Sequence, residues 1–119
     1  MTGPGGDTTA DTPVVVAARR TPIGTAGGAL RAVTVDALAA PVLAALAGTL
    51  GGPVDDVLLG NVFGPGGNPA RVAALAAGLG DDVPGMTVDR QCASGLAAIL
   101  TAAVGIRAGD GTGYLAGGA

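Results

Sequence analysis

Short, almost wholly apolar runs recur along this chain, and the segments after them carry helical spacing. The runs are Val14-Val15-Val16-Ala17-Ala18, Val57-Leu58-Leu59, Met86-Thr87-Val88 and Tyr114-Leu115-Ala116, all of strand length. Strict alternation would mark a strand with one wet face; an unbroken run marks a strand covered on both, as in parallel sheets. Val35, Leu38, Val42 and Leu46, with Leu43 alongside, predict a helix over 35–50. Val72, Leu75, Ala76 and Leu79 predict the apolar face of a second helix, and Leu96, Ile99, Leu100 and Ala103 that of a third. The order β-α-β-α-β-α-β predicts an α/β fold with a mostly parallel sheet and helices on its faces. It reads as incomplete at the C-terminus, where a fourth strand has nothing after it.

Local signals bound these elements. Thr34 is a plausible N-cap with Asp36 in the first turn. Pro41 predicts a kink or a late start for the first helix, and Gly51-Gly52-Pro53 ends it. Asn68-Pro69 reads as cap and first helical residue of the second helix, which Gly78 or Gly80 can terminate. Residues 1–12, rich in Gly, Thr and Asp, read as a disordered tail. Residues 13–119 read as one domain.

Composition narrows the chemistry. With no Trp, one Tyr and one Phe against 23 Gly in 119 residues, burial must come from Ala, Val and Leu, which suits closely packed elements. The six basic residues are all Arg and the nine acidic ones all Asp, a net of −3. There is no basic stripe, which argues against a nucleic-acid partner. His is absent and Cys occurs once. This chain by itself therefore has no His for acid–base work, no His or Cys cluster for a metal and no internal disulfide. The uncharged stretch from Ala37 to Val54 has the length of a membrane span, but Pro41, Pro53 and its Gly and Ala content favour a buried helix and a turn. A lone thiol with no secretory pattern at the start predicts a reducing, cytoplasmic setting.

Cys92 is the residue with chemistry. It falls where the third run meets a helix whose first turn, Cys92-Ala93-Ser94-Gly95, is small and tight. A helix N-terminus presents unpaired N–H groups and partial positive charge. A thiol there is favoured as thiolate, the nucleophilic form, and the same N–H groups can hold an oxyanion. The bland alternative is a small buried hydrophobe, which free Cys often is. Ser94 reads as a first-turn residue satisfying backbone groups, since Cys-x-Ser-Gly lacks the Gly-x-Ser-x-Gly frame of a serine elbow.

Val88-Asp89-Arg90-Gln91-Cys92-Ala93-Ser94-Gly95-Leu96 resembles the nucleophile segment of thiolases, the CoA-dependent acyltransferases. Four other segments resemble the family in the same order. They are Ala18-Arg19-Arg20-Thr21-Pro22-Ile23-Gly24, Val54 to Val62, Gly67-Asn68-Pro69-Ala70-Arg71, and Ala108-Gly109-Asp110 with Leu115-Ala116-Gly117-Gly118. The likeness covers residues 13–119 and implies the N-terminal half of a thiolase-like fold.

By that resemblance Cys92 attacks an acyl-CoA or acetyl-CoA thioester and carries the acyl group, with its own backbone N–H in the oxyanion hole. Claisen condensation, or thiolytic cleavage of a 3-ketoacyl-CoA, would follow. The resemblance implies coenzyme A thioesters as substrates, no bound cofactor or metal, a homo-oligomer at full length and no membrane. The family's second half supplies a His, an Asn-held water and a second Cys, so the chain alone is expected to be inactive. Asp89 stands where the family usually has Asn, a change expected to be mild. Two other readings stay open: a non-catalytic remnant or partner subunit of a complete thiolase-like chain, and a ketoacyl synthase-like condensing enzyme. Arg19 and Arg20 read as surface charges, Asn61 as turn-forming, and Arg71 and Arg90 as local partners of Asp. Gly64 to Gly67 is no phosphate loop, because no Lys-Ser/Thr follows.

Overall fold

The computed structural model describes residues 12–119. The chain order is α1 (Val35–Leu50), β1 (Asp56–Gly60), α2 (Pro69–Ala76), β2 (Gly85–Val88), α3 (Ser94–Arg107) and β3 (Tyr114–Gly118). The strands form one parallel sheet in the order β2-β1-β3. Val57 to Gly60 pair with Gly85 to Val88 on one side, and Asp56 to Gly60 with Tyr114 to Gly118 on the other. β1 is central and its side chains alternate. Val57 and Leu59 join Leu43 of α1, Ala70, Ala73 and Ala74 of α2, and Leu115 of β3. Leu58 faces the other way, onto Ala98 and Ala102 of α3. The step from β1 to β2 and the step back to β3 run in opposite directions, so crossovers of one hand put α2 and α3 on opposite faces.

Three of the four predicted strands form. The run Val14–Ala18 does not: Val14, Val15 and Val16 are 72%, 80% and 63% exposed and outside the sheet. An apolar run encodes tolerance of burial, whereas a strand also needs an edge to pair with, and none of the three strands pairs with it. The expected tail, residues 1–12, lies outside the described residues except for Thr12.

The helices form as expected but two of them bury the other stripe. α1 starts at Val35 after Thr34 and runs on through Pro41, without the late start, ending at Gly51 with φ 75°. The Thr34 side chain makes no capping bond. α2 buries Pro69, Ala70, Ala73 and Ala74, while Val72 and Leu75 face outward. α3 buries Ser94, Ala97, Ala98 and Ala102, while Leu96, Ile99, Leu100 and Val104 are exposed. Small faces let the helix backbone approach the sheet, and dense backbone contact replaces side-chain area. The sheet yields space as well: a Cβ on Gly85 would lie 2.6 Å from the backbone N and Cα of Arg71.

Candidate active site

The loops after β1 and β2 leave adjacent strands for helices on opposite faces. In an open α/β sheet that divergence opens a crevice beyond the carboxyl ends of the strands, where ligands bind. Cys92 lies in the loop after β2 and is exposed.

The approach to Cys92 is an abrupt corner. Gln91 has φ 50°, in the left-handed region that costs a side-chain-bearing residue free energy. Three hydrogen bonds from two side chains hold it. The Gln91 N–H donates to Asp89 Oδ1 at 3.1 Å. The Arg90 N–H donates to Ser94 Oγ at 2.7 Å, and the Ser94 hydroxyl donates to the Gln91 carbonyl at 2.6 Å. Ser94 is 5% exposed. Asp89 acts here as an acceptor, a role open also to the side-chain oxygen of an Asn.

α3 has no side-chain cap; its N-cap is Ala93. The Ala93 and Ser94 N–H groups, expected to be unpaired, donate to the Arg90 and Gln91 carbonyls at 3.1 Å each. Those two donors belong to the corner. The helix start is set directly on the sheet: a Cβ on Gly60 would lie 2.3 Å from the Ser94 carbonyl carbon and 2.4 Å from Gly95 N. Gly95 in turn stacks on Gly118, whose Cα is 3.6 Å from a Cβ built at Gly95.

Asn61 does more than form a turn. Its N–H donates to the Val88 carbonyl at 3.0 Å and its Nδ2 to the Ala119 carbonyl at 2.7 Å. It thereby ties together the carboxyl ends of all three strands. An open recess beside it is lined by Thr34, Val35, Asn61, Phe63, Pro65 and Ala119, and Cys92 does not line it. Arg71 donates to the carbonyls of Val83 and Asp81 instead of pairing with a carboxylate. Arg90 enters the corner through its backbone. Arg19 and Arg20 are exposed, with Arg20 donating to the Thr21 carbonyl. Among the described residues no cluster of His, Cys, Asp or Glu is placed to hold a metal ion, and no helix is long and apolar enough to cross a membrane.

The sheet's amino end carries charge instead. Asp55 Oδ2 accepts from the N–H groups of Thr112 and Gly113 at 2.7 and 3.0 Å, which holds its carboxyl below the ordinary aspartate range. Burial raises Asp56 and Tyr114, the latter further through Asp110, Asp55 and Asp56.

Of the residues that build the corner, Cys92 and Ser94 carry sequence signals. Gln91 carries none, because nothing in its type announces a left-handed backbone. Gly60 and Asn61 could be found only once β1 was known to lie beneath α3.

Comparison with known proteins gives the family of the chain. A family model described as the thiolase N-terminal domain matches residues 13–119. The chain is 51% identical over 105 residues to YhfS of Bacillus subtilis, which is named for an acetyl-CoA C-acetyltransferase, covering 88% of this chain and 29% of that protein. It is 47% identical over 108 residues to the similarly named VraB of Staphylococcus haemolyticus, covering 88% and 28%. The crystal structure of the Bacillus anthracis acetyl-CoA acetyltransferase superposes with a TM-score of 0.81 at 47% identity, covering 83% of this chain and 26% of that one. This chain thus spans less than a third of the length of these relatives. With family model, relatives and fold in agreement, it belongs to the thiolase family, matching its N-terminal domain.

Proposed function

We propose that Cys92 is the acyl-accepting nucleophile of a thiolase-type acyltransferase acting on CoA thioesters. The carrying observation is an exposed thiol on a held corner at the start of α3, in a chain matched by the thiolase N-terminal domain over residues 13–119. The thiolate attacks the thioester carbonyl carbon, the bond from that carbon to the CoA sulfur breaks, and CoA leaves as its thiol. The product is S-acyl-Cys92. The Cys92 N–H stabilises the oxyanion of the tetrahedral intermediate. Acetyl-CoA is the acyl donor that the names of the relatives favour. Completion of the cycle needs a general base and acid that a chain without His does not supply, so this chain acylates once without turning over. In the complete enzyme the same corner works in a homo-oligomer.

Incubation with acetyl-CoA followed by intact-mass measurement tests this. The folded chain is expected to gain one acetyl group on Cys92, faster than the same chain in denaturant, and the Cys92→Ser chain none. Acetylation no faster than in the unfolded chain would refute the reading.

A further inference from the structure

The geometry points to Ser94 as the positioning residue of the Cys92 corner, an inference that rests on the reading of Cys92 as nucleophile. Of the described residues, only Asn68 and Gln91 combine a side chain with positive φ, at 60° and 50°. Asn tolerates that region because its short amide bonds locally, whereas Gln pays the full steric cost. Strain of this kind persists only where the surroundings over-determine it. Here the buried Ser94 hydroxyl accepts from the residue before Gln91 and donates to the carbonyl of Gln91 itself. It therefore grips the backbone on both sides of the strained φ.

Gln91 immediately precedes Cys92, so relaxation of its φ would swing Cys92 away from the start of α3. Without the hydroxyl, the Arg90 N–H and the Gln91 carbonyl lose this shared partner, and the left-handed conformation loses a main support. Gly60 fixes the other boundary: the backbone at Ser94 rests on it without room for one methyl group. Hydroxyl and glycine together set where the thiol stands relative to the helix terminus. A thiol that is already exposed gains nothing from further exposure, so its reactivity follows its alignment with that terminus.

The test is the rate of Cys92 alkylation by iodoacetamide in the 119-residue chain, with a melting curve for each variant. Ser94→Ala is expected to slow alkylation about tenfold, within the range a helix N-terminus exerts on a thiol. Ser94→Thr, which keeps the hydroxyl, should recover the rate. So should Gln91→Gly added to Ser94→Ala, because glycine adopts the left-handed region freely. A purely structural role for Ser94 would give no rescue by that glycine. If Ser94→Ala does not fold, Asp89→Ala loosens the same corner from its other side and is expected to slow alkylation too. Wild-type alkylation in Ser94→Ala, or a loss that Gln91→Gly leaves unchanged, overturns the inference. The acetyl-CoA experiment on the wild-type chain reports separately on the nucleophile, so the two readings can fail independently.

Discussion

α2 and α3 begin in opposite ways. At α2, Asn68 takes the left-handed conformation its side chain suits and closes the helix start completely. Its Oδ1 accepts from Arg71 N at 3.3 Å and from the Thr87 hydroxyl at 2.6 Å, and its Nδ2 donates to the Gly85 carbonyl at 2.8 Å. Thr87 Oγ1 then accepts from Ala70 N at 3.2 Å. At α3, Gln91 takes the same region at a cost, no side chain caps the helix, and an exposed thiol stands beside it. One start is sealed by residues suited to sealing. The other is tied by a serine reaching back into the loop, and it bears the exposed cysteine. Strain of this kind persists only where its surroundings over-determine it, and at α3 it stands beside the one cysteine while the start of α2 is relaxed.

The largest test of this contrast is Gly60→Ala. Its methyl group would meet the α3 backbone at 2.3 Å, which cannot give as a side chain could. About 3 kcal/mol of stability should be lost, together with rapid acetylation of Cys92, because the α3 start is displaced. A wild-type melt with wild-type acetylation would break the contrast. Next comes Asn68→Ala. Loss of the cap and of the bond to Gly85 should cost about 1–2 kcal/mol in denaturant unfolding and leave Cys92 alkylation unchanged. If alkylation fell as well, the two helix starts would be coupled.

A third set of backbone donors, the N–H groups of Thr112 and Gly113, is held by a charge. The lowered pKa of Asp55 means that its contribution is present above the unfolded value and lost as pH falls through the folded one, below about pH 4. Asp55→Asn should cost about 1 kcal/mol at pH 7 and flatten the acid limb of the stability curve. Asp56, raised by burial, works against this: it favours the fold at low pH and loses that contribution as pH rises. The smallest effect on stability belongs to Cys92 itself. Cys92→Ser should change stability by no more than about 0.5 kcal/mol, since the thiol is exposed, while abolishing acetylation.

The start of α2 was legible in the sequence and that of α3 only in part. Asn68-Pro69 announces a cap through residue types that have few other uses side by side. Cys92 was legible through its place at a run-to-helix junction and through five family-like segments in register. Gln91, Gly60 and Asn61 were not, because their roles depend on contacts between segments far apart in the chain. The strand expected at Val14–Ala18 failed for the same reason: pairing is a relation, and a run of valines states only one side of it. The inward faces of α2 and α3 differ from the apolar stripes that periodicity predicts, because the structure buries the alanines and leaves the larger apolar residues outside.

That inversion sets how these helices can change over generations. Positions such as Ala73 and Ala98, both fully buried, admit nothing larger without lifting a helix off the sheet, so volume rather than polarity is what selection polices there. The leucines at 96 and 100 face outward, so packing among the described residues sets no such limit on them. Across variants of this chain, the residues that look least informative should vary least.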